Sequence, residues 1–127
     1  MRLYHIDAVC VAADCDRRWV DNLLSRFAID GVEAGGRGRA RRISLRALRQ
    51  VAIVRELAVR LGVPLVEAVR ISAGLLTHGP PVAVGAGLAV QLDQGVIDRL
   101  IEERLALAAE SLAPKPRGRP SARRRSS

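Results

Sequence analysis

Residues 6–27 read IDAVCVAADCDRRWVDNLLSRF, and they predict two short helices joined by a tight turn. Apolar side chains recur at helical spacing on both sides of residues 13–16, which contain two aspartates. The Asp16 carboxylate can accept backbone N–H groups from the first turn of the second helix, so we predict that Asp16 is the N-cap. This order is typical of a helix-turn-helix, and an ordinary helical hairpin with solvated charges is the alternative.

The second predicted helix, residues 16–27, carries polar side chains on the face opposite its apolar residues. Arginine and asparagine side chains can form paired hydrogen bonds with guanine and adenine in the major groove of DNA. We therefore predict a DNA-reading face. Its candidate residues are Arg17, Arg18, Asn22, Ser25 and Arg26. Asp21 lies on the same face, where its negative charge opposes the approach of a phosphate group.

Residues 28–40 read AIDGVEAGGRGRA, and their four glycines and Asp30-Gly31 pair predict a β-hairpin rather than a helix. The hairpin continues to Ile43, and it is strongly basic. Its arginines are Arg37, Arg39, Arg41 and Arg42. A basic hairpin after a helix-turn-helix is a wing, which lays arginines along the phosphate backbone or into the minor groove. A loop kept soluble by its charge is the alternative.

Two further helices are expected to pack behind this unit. Ser44 is the predicted N-cap of a helix that ends near Leu61, with Gly62 as its C-cap. The second helix runs from Pro64 to about Leu76. A short strand at residues 3–6 is expected to lead into the first helix.

Beyond the break at residues 77–81, the pattern changes to alternation, with the firm part of a strand at residues 88–93. We see no second strand nearby in sequence, so this strand is expected to pair with its own copy in a second subunit or with the wing sheet. An amphipathic helix follows at residues 96–112. We predict that strand and helix form a homodimer interface, and packing within the chain is the alternative. The candidate interface residues are Leu88, Val90, Leu92, Ile97, Leu100, Ile101 and Leu105.

The charge of the chain is concentrated at one end. The net charge is +8, residues 113–127 hold six basic and no acidic side chains, and residues 1–112 hold 15 basic and 13 acidic ones. The predicted organisation is a DNA-binding domain at residues 1–76, a dimerisation element at residues 77–112 and a disordered basic tail at residues 113–127. No apolar run is long enough to span a membrane, and two cysteines without a secretory signal indicate reduced thiols in the cytoplasm. The predicted DNA binding adds association with the nucleoid.

The order of these elements resembles the DNA-binding domain of the bacterial MerR family over residues 3–76. Ile6 and Val9 match that family's opening pattern, and residues 41–44, Arg-Arg-Ile-Ser, match its closing Arg-Arg-Tyr-Ser. Residues 62–68, GVPLVEA, match a segment that usually reads Gly-x-Ser-Leu-x-Glu-Ala. The resemblance implies a mainly α, winged helix-turn-helix fold. The turn glycine is replaced by Asp14, and the usual Arg and Tyr of the second helix are replaced by Asp21 and Asn22.

The tail resembles an AT-hook, a short strip that binds the minor groove. Gly118 allows the extended backbone to lie deep in a narrow groove, with Arg117 and Arg119 directed along its floor. The tail residues expected to contact DNA are Lys115, Arg117, Gly118, Arg119, Arg123, Arg124 and Arg125. A plain electrostatic tail is the alternative.

The sequence shows no catalytic or metal-binding pattern. Cys10 and Cys15 are expected to be small buried hydrophobic residues, and His5 and His78 are isolated. We therefore expect no enzyme activity, no cofactor, no metal and no small-molecule effector. The predicted function is that of a small, sequence-specific DNA-binding transcriptional regulator acting as a homodimer on double-stranded DNA. An excisionase-like or nucleoid architectural protein is one alternative, and a protein-interaction module such as an antitoxin is another.

Overall fold

The computed structural model of this chain describes residues 2–35 and 41–112. Within these two ranges the chain is mainly helical, as the sequence predicted, with small antiparallel sheets. The elements, in order, are β1 (Leu3–His5), α1 (Ile6–Ala13), α2 (Arg17–Arg26), β2 (Val32–Glu33), β3 (Arg42–Ser44), α3 (Leu45–Arg55), α4 (Leu65–Thr77), β4 (Val82–Gly85), β5 (Leu88–Val90) and α5 (Gln94–Leu112).

The turn between α1 and α2 is built by two aspartates. Asp14 adopts the left-handed conformation with φ 57°, and its backbone N–H donates to the carbonyls of Cys10 and Val11, which ends α1. Asp16 is the N-cap of α2, as predicted, because its carboxylate accepts a hydrogen bond of 2.9 Å from the backbone N–H of Trp19. Asp14 thus takes the left-handed turn conformation that a glycine usually supplies.

The predicted hairpin at residues 28–43 is present as β2 and β3, and β1 extends it to a three-stranded antiparallel sheet in the order β1-β3-β2. Ile43, in the central strand, pairs with Tyr4 on one side and Val32 on the other, and its side chain is fully buried. Ser44 ends β3 and begins α3, because its hydroxyl accepts a hydrogen bond of 3.2 Å from the backbone N–H of Ala47. The predicted N-cap at Ser44 is therefore confirmed.

The helix predicted to end near Leu61 changes from an α-helix to a π-helix in its last turn. After α3, residues Glu56–Arg60 form one π-helical turn, and Gly62, with φ 70°, ends the helix. The backbone N–H of Val63 donates to the carbonyl of Leu57 over 3.0 Å, which satisfies one of the carbonyl groups at the helix end. After Pro64, α4 begins at Leu65 and packs against α3.

The prediction that residues 88–93 form a strand without a neighbour in sequence is wrong. β5 pairs with β4 in an antiparallel hairpin, in which Val82 lies opposite Val90. Gly87, the second residue of the two-residue turn, has φ 75°, a conformation that glycine adopts without steric cost. Of the two glycines that weaken the strand pattern, Gly85 ends β4 and Gly87 lies in the turn, and β5 needs no second subunit for its pairing.

Helix α5 packs against the helical body of its own chain, mainly on α1 and also on α3. Ile101 and Ala108 are buried there, and Asp98 accepts hydrogen bonds of 2.7 and 3.3 Å from the Arg49 guanidinium on α3. Arg104 donates to the Ala12 carbonyl near the end of α1 over 3.3 Å. Residues on both sides of position 76, among them Leu75 and Ile101, thus belong to one buried cluster.

The core is aliphatic, as the near absence of aromatic residues implies. Its largest fully buried apolar side chains are Ile6, Val9, Val20, Leu23, Ile43, Leu48, Val51, Val54 and Leu75. Tyr4, Trp19 and Phe27 are partly buried against the edge of this cluster. In the described ranges, no helix combines the length and the apolar character needed to cross a membrane.

Candidate nucleic-acid interface

The outer surface of α2 carries all five residues predicted for it. Val20 and Leu23 are buried and hold the helix against the core, which directs the polar residues to solvent. We call the exposed set the recognition face. Its members are Arg17, Arg18, Asn22, Ser25 and Arg26. Among the described residues, Arg18 and Asn22 have no side-chain hydrogen-bond partner, so their donors and acceptors are available to a ligand.

Asp21 lies beside this face and binds two arginines. Its Oδ1 accepts a hydrogen bond of 3.1 Å from Nη1 of Arg41, and its Oδ2 lies 3.4 Å from Nε of Arg17. From the sequence alone, Asp21 was expected to present a negative charge on this face that opposes a phosphate group. The structure shows instead that two guanidinium groups compensate it, and one of them comes from the wing.

Arg41 fastens the base of the wing to α2. Besides its ion pair with Asp21, its Nη2 donates to the hydroxyl of Ser25 over 3.0 Å. One guanidinium therefore contacts two positions on successive turns of α2, an arrangement that fixes both its position and its orientation. The sequence predicted Arg41 and Ser25 as separate DNA contacts, and no spacing rule connects residues 16 positions apart.

The remaining arginines of this surface differ in what they contact. Arg17 also donates to Asp7 on α1 over 2.9 Å, and the Arg26 guanidinium lies 5.3 Å from the centre of the Phe27 ring. Arg42, next to Arg41 in β3, is exposed. The described part of this surface thus presents five arginines, and the acidic side chains beside them are Asp7, Asp16, Asp21 and Glu33. The excess of positive charge favours a polyanionic ligand.

Several predicted contacts lie outside the described residues. They are Arg37 and Arg39 of the wing, and Lys115, Arg117, Gly118, Arg119, Arg123, Arg124 and Arg125 of the tail. The AT-hook resemblance also falls in that part of the chain. These positions stay predictions from the sequence.

The candidate dimer residues are mostly used within the chain. Ile101 is only 2% exposed, and four others are partly buried against the same core. Those four are Val90, Leu92, Ile97 and Leu105. Leu88 and Leu100 remain accessible, with 66% and 39% of their surface exposed. A second copy could therefore reach only the smaller, exposed part of the predicted interface without rearrangement.

The two cysteines lie near the turn between α1 and α2, and both are partly buried rather than fully buried. The Cys15 thiol donates to the Ala13 carbonyl over 3.3 Å. Burial raises the pKa of Cys15 to about 12, and burial also raises the pKa of Cys10. The described residues contain no group of three or more His, Cys, Asp or Glu side chains that could hold a metal ion.

These pKa shifts predict unreactive thiols in the folded protein. The thiolate is the nucleophile, and with a pKa of about 12 only about one Cys15 side chain in ten thousand is ionised at pH 8. Iodoacetamide at pH 8 should therefore label Cys15 at least tenfold more slowly in the native protein than in denaturant, as measured by mass spectrometry of the peptide. Equal labelling rates in the two states would contradict the burial of this thiol.

Comparison with known proteins adds no relative, since no family model, curated protein or solved structure matches this chain. The functional interpretation therefore depends on the geometry of the recognition face and the wing, together with the residue pattern of residues 3–76.

Proposed function

We propose that this chain is a small, sequence-specific DNA-binding protein that regulates transcription. The observation that carries the proposal is the pairing of an exposed polar face on α2 with a basic wing fastened to the same helix by Arg41. In the proposed complex α2 lies in the major groove. The wing lies along the flanking backbone or minor groove, and the tail binds adjacent A·T-rich DNA.

In the proposed complex, contacts with base edges and contacts with phosphates are made by different residues. Arg18 and Asn22 are exposed and have no partner among the described side chains, so they are the proposed readers of base edges. Arg42 is exposed at the base of the wing, where its guanidinium would contact phosphate. Phosphate contacts position a protein on the duplex, whereas base contacts select the sequence.

An architectural role on DNA, like that of excisionases, would use the same surface. It would show itself as bending of the duplex with weak sequence preference. Circular-permutation gel shifts measure the bend angle and separate this alternative from the regulator.

A protein-interaction module is favoured by a different observation. Exposed apolar side chains lie on α5 and on the hairpin formed by β4 and β5, and these are Val84, Leu88, Val96, Leu100 and Leu107. Surfaces of this kind mark interfaces when they are contiguous. A stoichiometric second protein that co-purifies with the chain would support this candidate. A second copy of the chain on the same side chains would supply the homodimer that the DNA-binding proposal includes.

The proposal is tested by selecting bound duplexes from a random DNA pool with the full chain, followed by gel shifts of the selected duplex against scrambled competitor. The proposal expects a recurring sequence, bound at least a hundredfold more tightly than the scrambled duplex at physiological salt. Equal affinity for both duplexes would remove the claim of sequence specificity.

Arg18→Ala should weaken binding to the selected duplex by about tenfold or more, with little change on scrambled DNA, since one paired contact to a base is worth about 1–3 kcal/mol. Arg123→Ala, in the tail, should weaken binding to both duplexes alike and reduce the salt dependence. The measurement is a gel-shift titration of both duplexes at several salt concentrations.

Arg70→Ala is the matched control, because Arg70 lies on α4 and pairs there with Glu67. It should leave both affinities unchanged. If Arg18→Ala and Arg123→Ala gave the same pattern of losses, the division of roles between helix and tail would be wrong.

A further inference from the structure

We infer that Asp21 determines specificity by restraining the binding of Arg17 and Arg41 to phosphates in DNA of arbitrary sequence. This inference rests on the proposed DNA-binding function. It assigns to Asp21 a role that the sequence pattern does not suggest, because an acidic side chain on a DNA-facing helix is expected only to weaken DNA binding.

The geometry gives each carboxylate oxygen one arginine. Oδ1 accepts from Arg41 at 3.1 Å, and Oδ2 lies 3.4 Å from Arg17. The two arginines belong to different parts of the surface, one to the first turn of α2 and the other to the base of the wing. A single negative charge therefore contacts two arginines. Arg17 also donates to Asp7 over 2.9 Å, so among the described residues Arg41 is the one whose ion pair depends on Asp21 alone.

These ion pairs are accessible enough to exchange. The side chain of Asp21 is 41% exposed, that of Arg17 is 55% exposed and that of Arg41 is 32% exposed. Exposed ion pairs are individually weak because water screens them, so a phosphate can compete with the carboxylate for the same N–H groups. The competition leaves the Asp21 charge close to the phosphate, which opposes binding.

Random and cognate duplexes respond differently to this opposition. On a random duplex, phosphate contacts supply nearly all of the affinity, so restraint of two arginines weakens binding directly. On a cognate duplex, base contacts from Arg18 and Asn22 fix the register of α2, and in that register Arg17 and Arg41 stay paired with Asp21, so the restraint costs cognate binding little free energy. Asp21 therefore widens the ratio between cognate and random affinity.

A purely structural role for Asp21 predicts something else. If Asp21 only fastened the wing to α2, its removal would loosen the wing and weaken binding to every duplex. The sign of the change on random DNA therefore separates the two roles.

The test is Asp21→Asn in the full chain, which keeps the side chain's shape and a hydrogen-bond acceptor while removing its charge. Affinity for a random duplex should rise about fivefold. The plot of log affinity against log salt concentration should steepen by about one, because Arg41 is released to a phosphate while Arg17 keeps its pairing with Asp7. The ratio of cognate to random affinity should fall. Glu67→Gln is the charge-matched control, since it removes an exposed partner of Arg70 on α4, and it should change neither quantity.

Two further variants test whether Arg41 causes the higher affinity of Asp21→Asn for random DNA. Combining Arg41→Ala with Asp21→Asn should abolish most of the gain on random DNA if released Arg41 causes it. Asp21→Ala repeats the test with the acceptor removed as well, and thermal unfolding of each variant confirms that it is folded.

Random-DNA affinity that stays unchanged or falls in both folded Asp21 variants would overturn the inference while leaving the proposed function intact. A wild-type chain that binds neither selected nor random duplexes would overturn the proposed function itself, and the role of Asp21 with it.

Discussion

Replacing Gly31 with alanine is expected to lower the free energy of unfolding by about 3 kcal/mol, from backbone strain, a steric overlap and the loss of a helix cap that the overlap causes. Gly31 has φ 94°, a backbone conformation that L-residues rarely adopt. A Cβ atom at this position would overlap the Ser44 hydroxyl oxygen and lie 3.1 Å from Cβ of Ser44. That hydroxyl is the N-cap of α3, so the overlap also removes a capping hydrogen bond.

The same position connects the wing to the core of the fold. The Gly31 carbonyl accepts a hydrogen bond of 2.8 Å from the backbone N–H of Ser44. Ser44 thus ends the central strand of the wing sheet and begins α3 at one point, directly under Gly31. A side chain at Gly31 displaces the first strand of the wing from its partner, so we expect DNA affinity to fall together with stability.

The measurement is urea unfolding followed by circular dichroism, and Gly62→Ala is the matched control. Gly62 also has a positive φ, of 70°, but no atom lies within 4 Å of the position of its Cβ. Its substitution should therefore cost only the backbone term, about 1 kcal/mol. Equal losses in the two variants would show that the contact with Ser44 contributes nothing.

Features that depend on neighbouring residues were predicted well from the sequence. Asp16 and Ser44 were placed as N-caps because a short polar side chain before an apolar helix can reach only the backbone of the next turn. The hairpin at residues 28–43 followed from its glycines, and the residues of the recognition face followed from the helical spacing of Val20 and Leu23. Each of these inferences needs only a few consecutive residues.

Features that depend on distant residues were not predicted. The pattern of α5 shows an apolar stripe, but it does not say whether α1 or a second copy covers that stripe. The ion pair between Asp21 and Arg41 was not predicted either, because Arg41 lies 20 residues away along the chain and no local pattern connects the two. The hairpin of β4 and β5 is a different case. Its turn is local, but Gly85 and Gly87 were read as interruptions of one strand instead of the end of β4 and part of the turn.

The way α5 packs bears on how the recognition face is held in place. Helix α1 lies between α5 and the turn to α2, and Arg104 of α5 donates to the carbonyl of Ala12 at the end of α1. The helix pair of α1 and α2 is therefore supported by α5, the last described helix of the same chain. A second subunit is not needed for that support. In the proposed DNA complex, a homodimer would double the DNA contacts rather than complete the fold.

Replacing Ile101 with alanine tests this support, and it should lower the free energy of unfolding by about 3 kcal/mol. Ile101 is 2% exposed and packs into the single aliphatic core, so its truncation leaves a cavity that the surrounding helices fill only partly. Leu100→Ala is the matched control on the same helix. Its side chain is 39% exposed, and the expected loss is about 1 kcal/mol or less.

Protein concentration separates packing within the chain from packing between copies. If Ile101 belongs to the core of one chain, the difference in unfolding free energy between Ile101→Ala and wild type should be the same over a hundredfold range of concentration, because a unimolecular transition carries no concentration term. Sedimentation velocity should show the same association state for Ile101→Ala as for wild type. If the stripe instead joined two copies, the variant would dissociate and its loss of stability would depend on concentration. Ile101 would then be the interface residue that the sequence pattern first suggested, and α5 would brace the partner chain instead of its own.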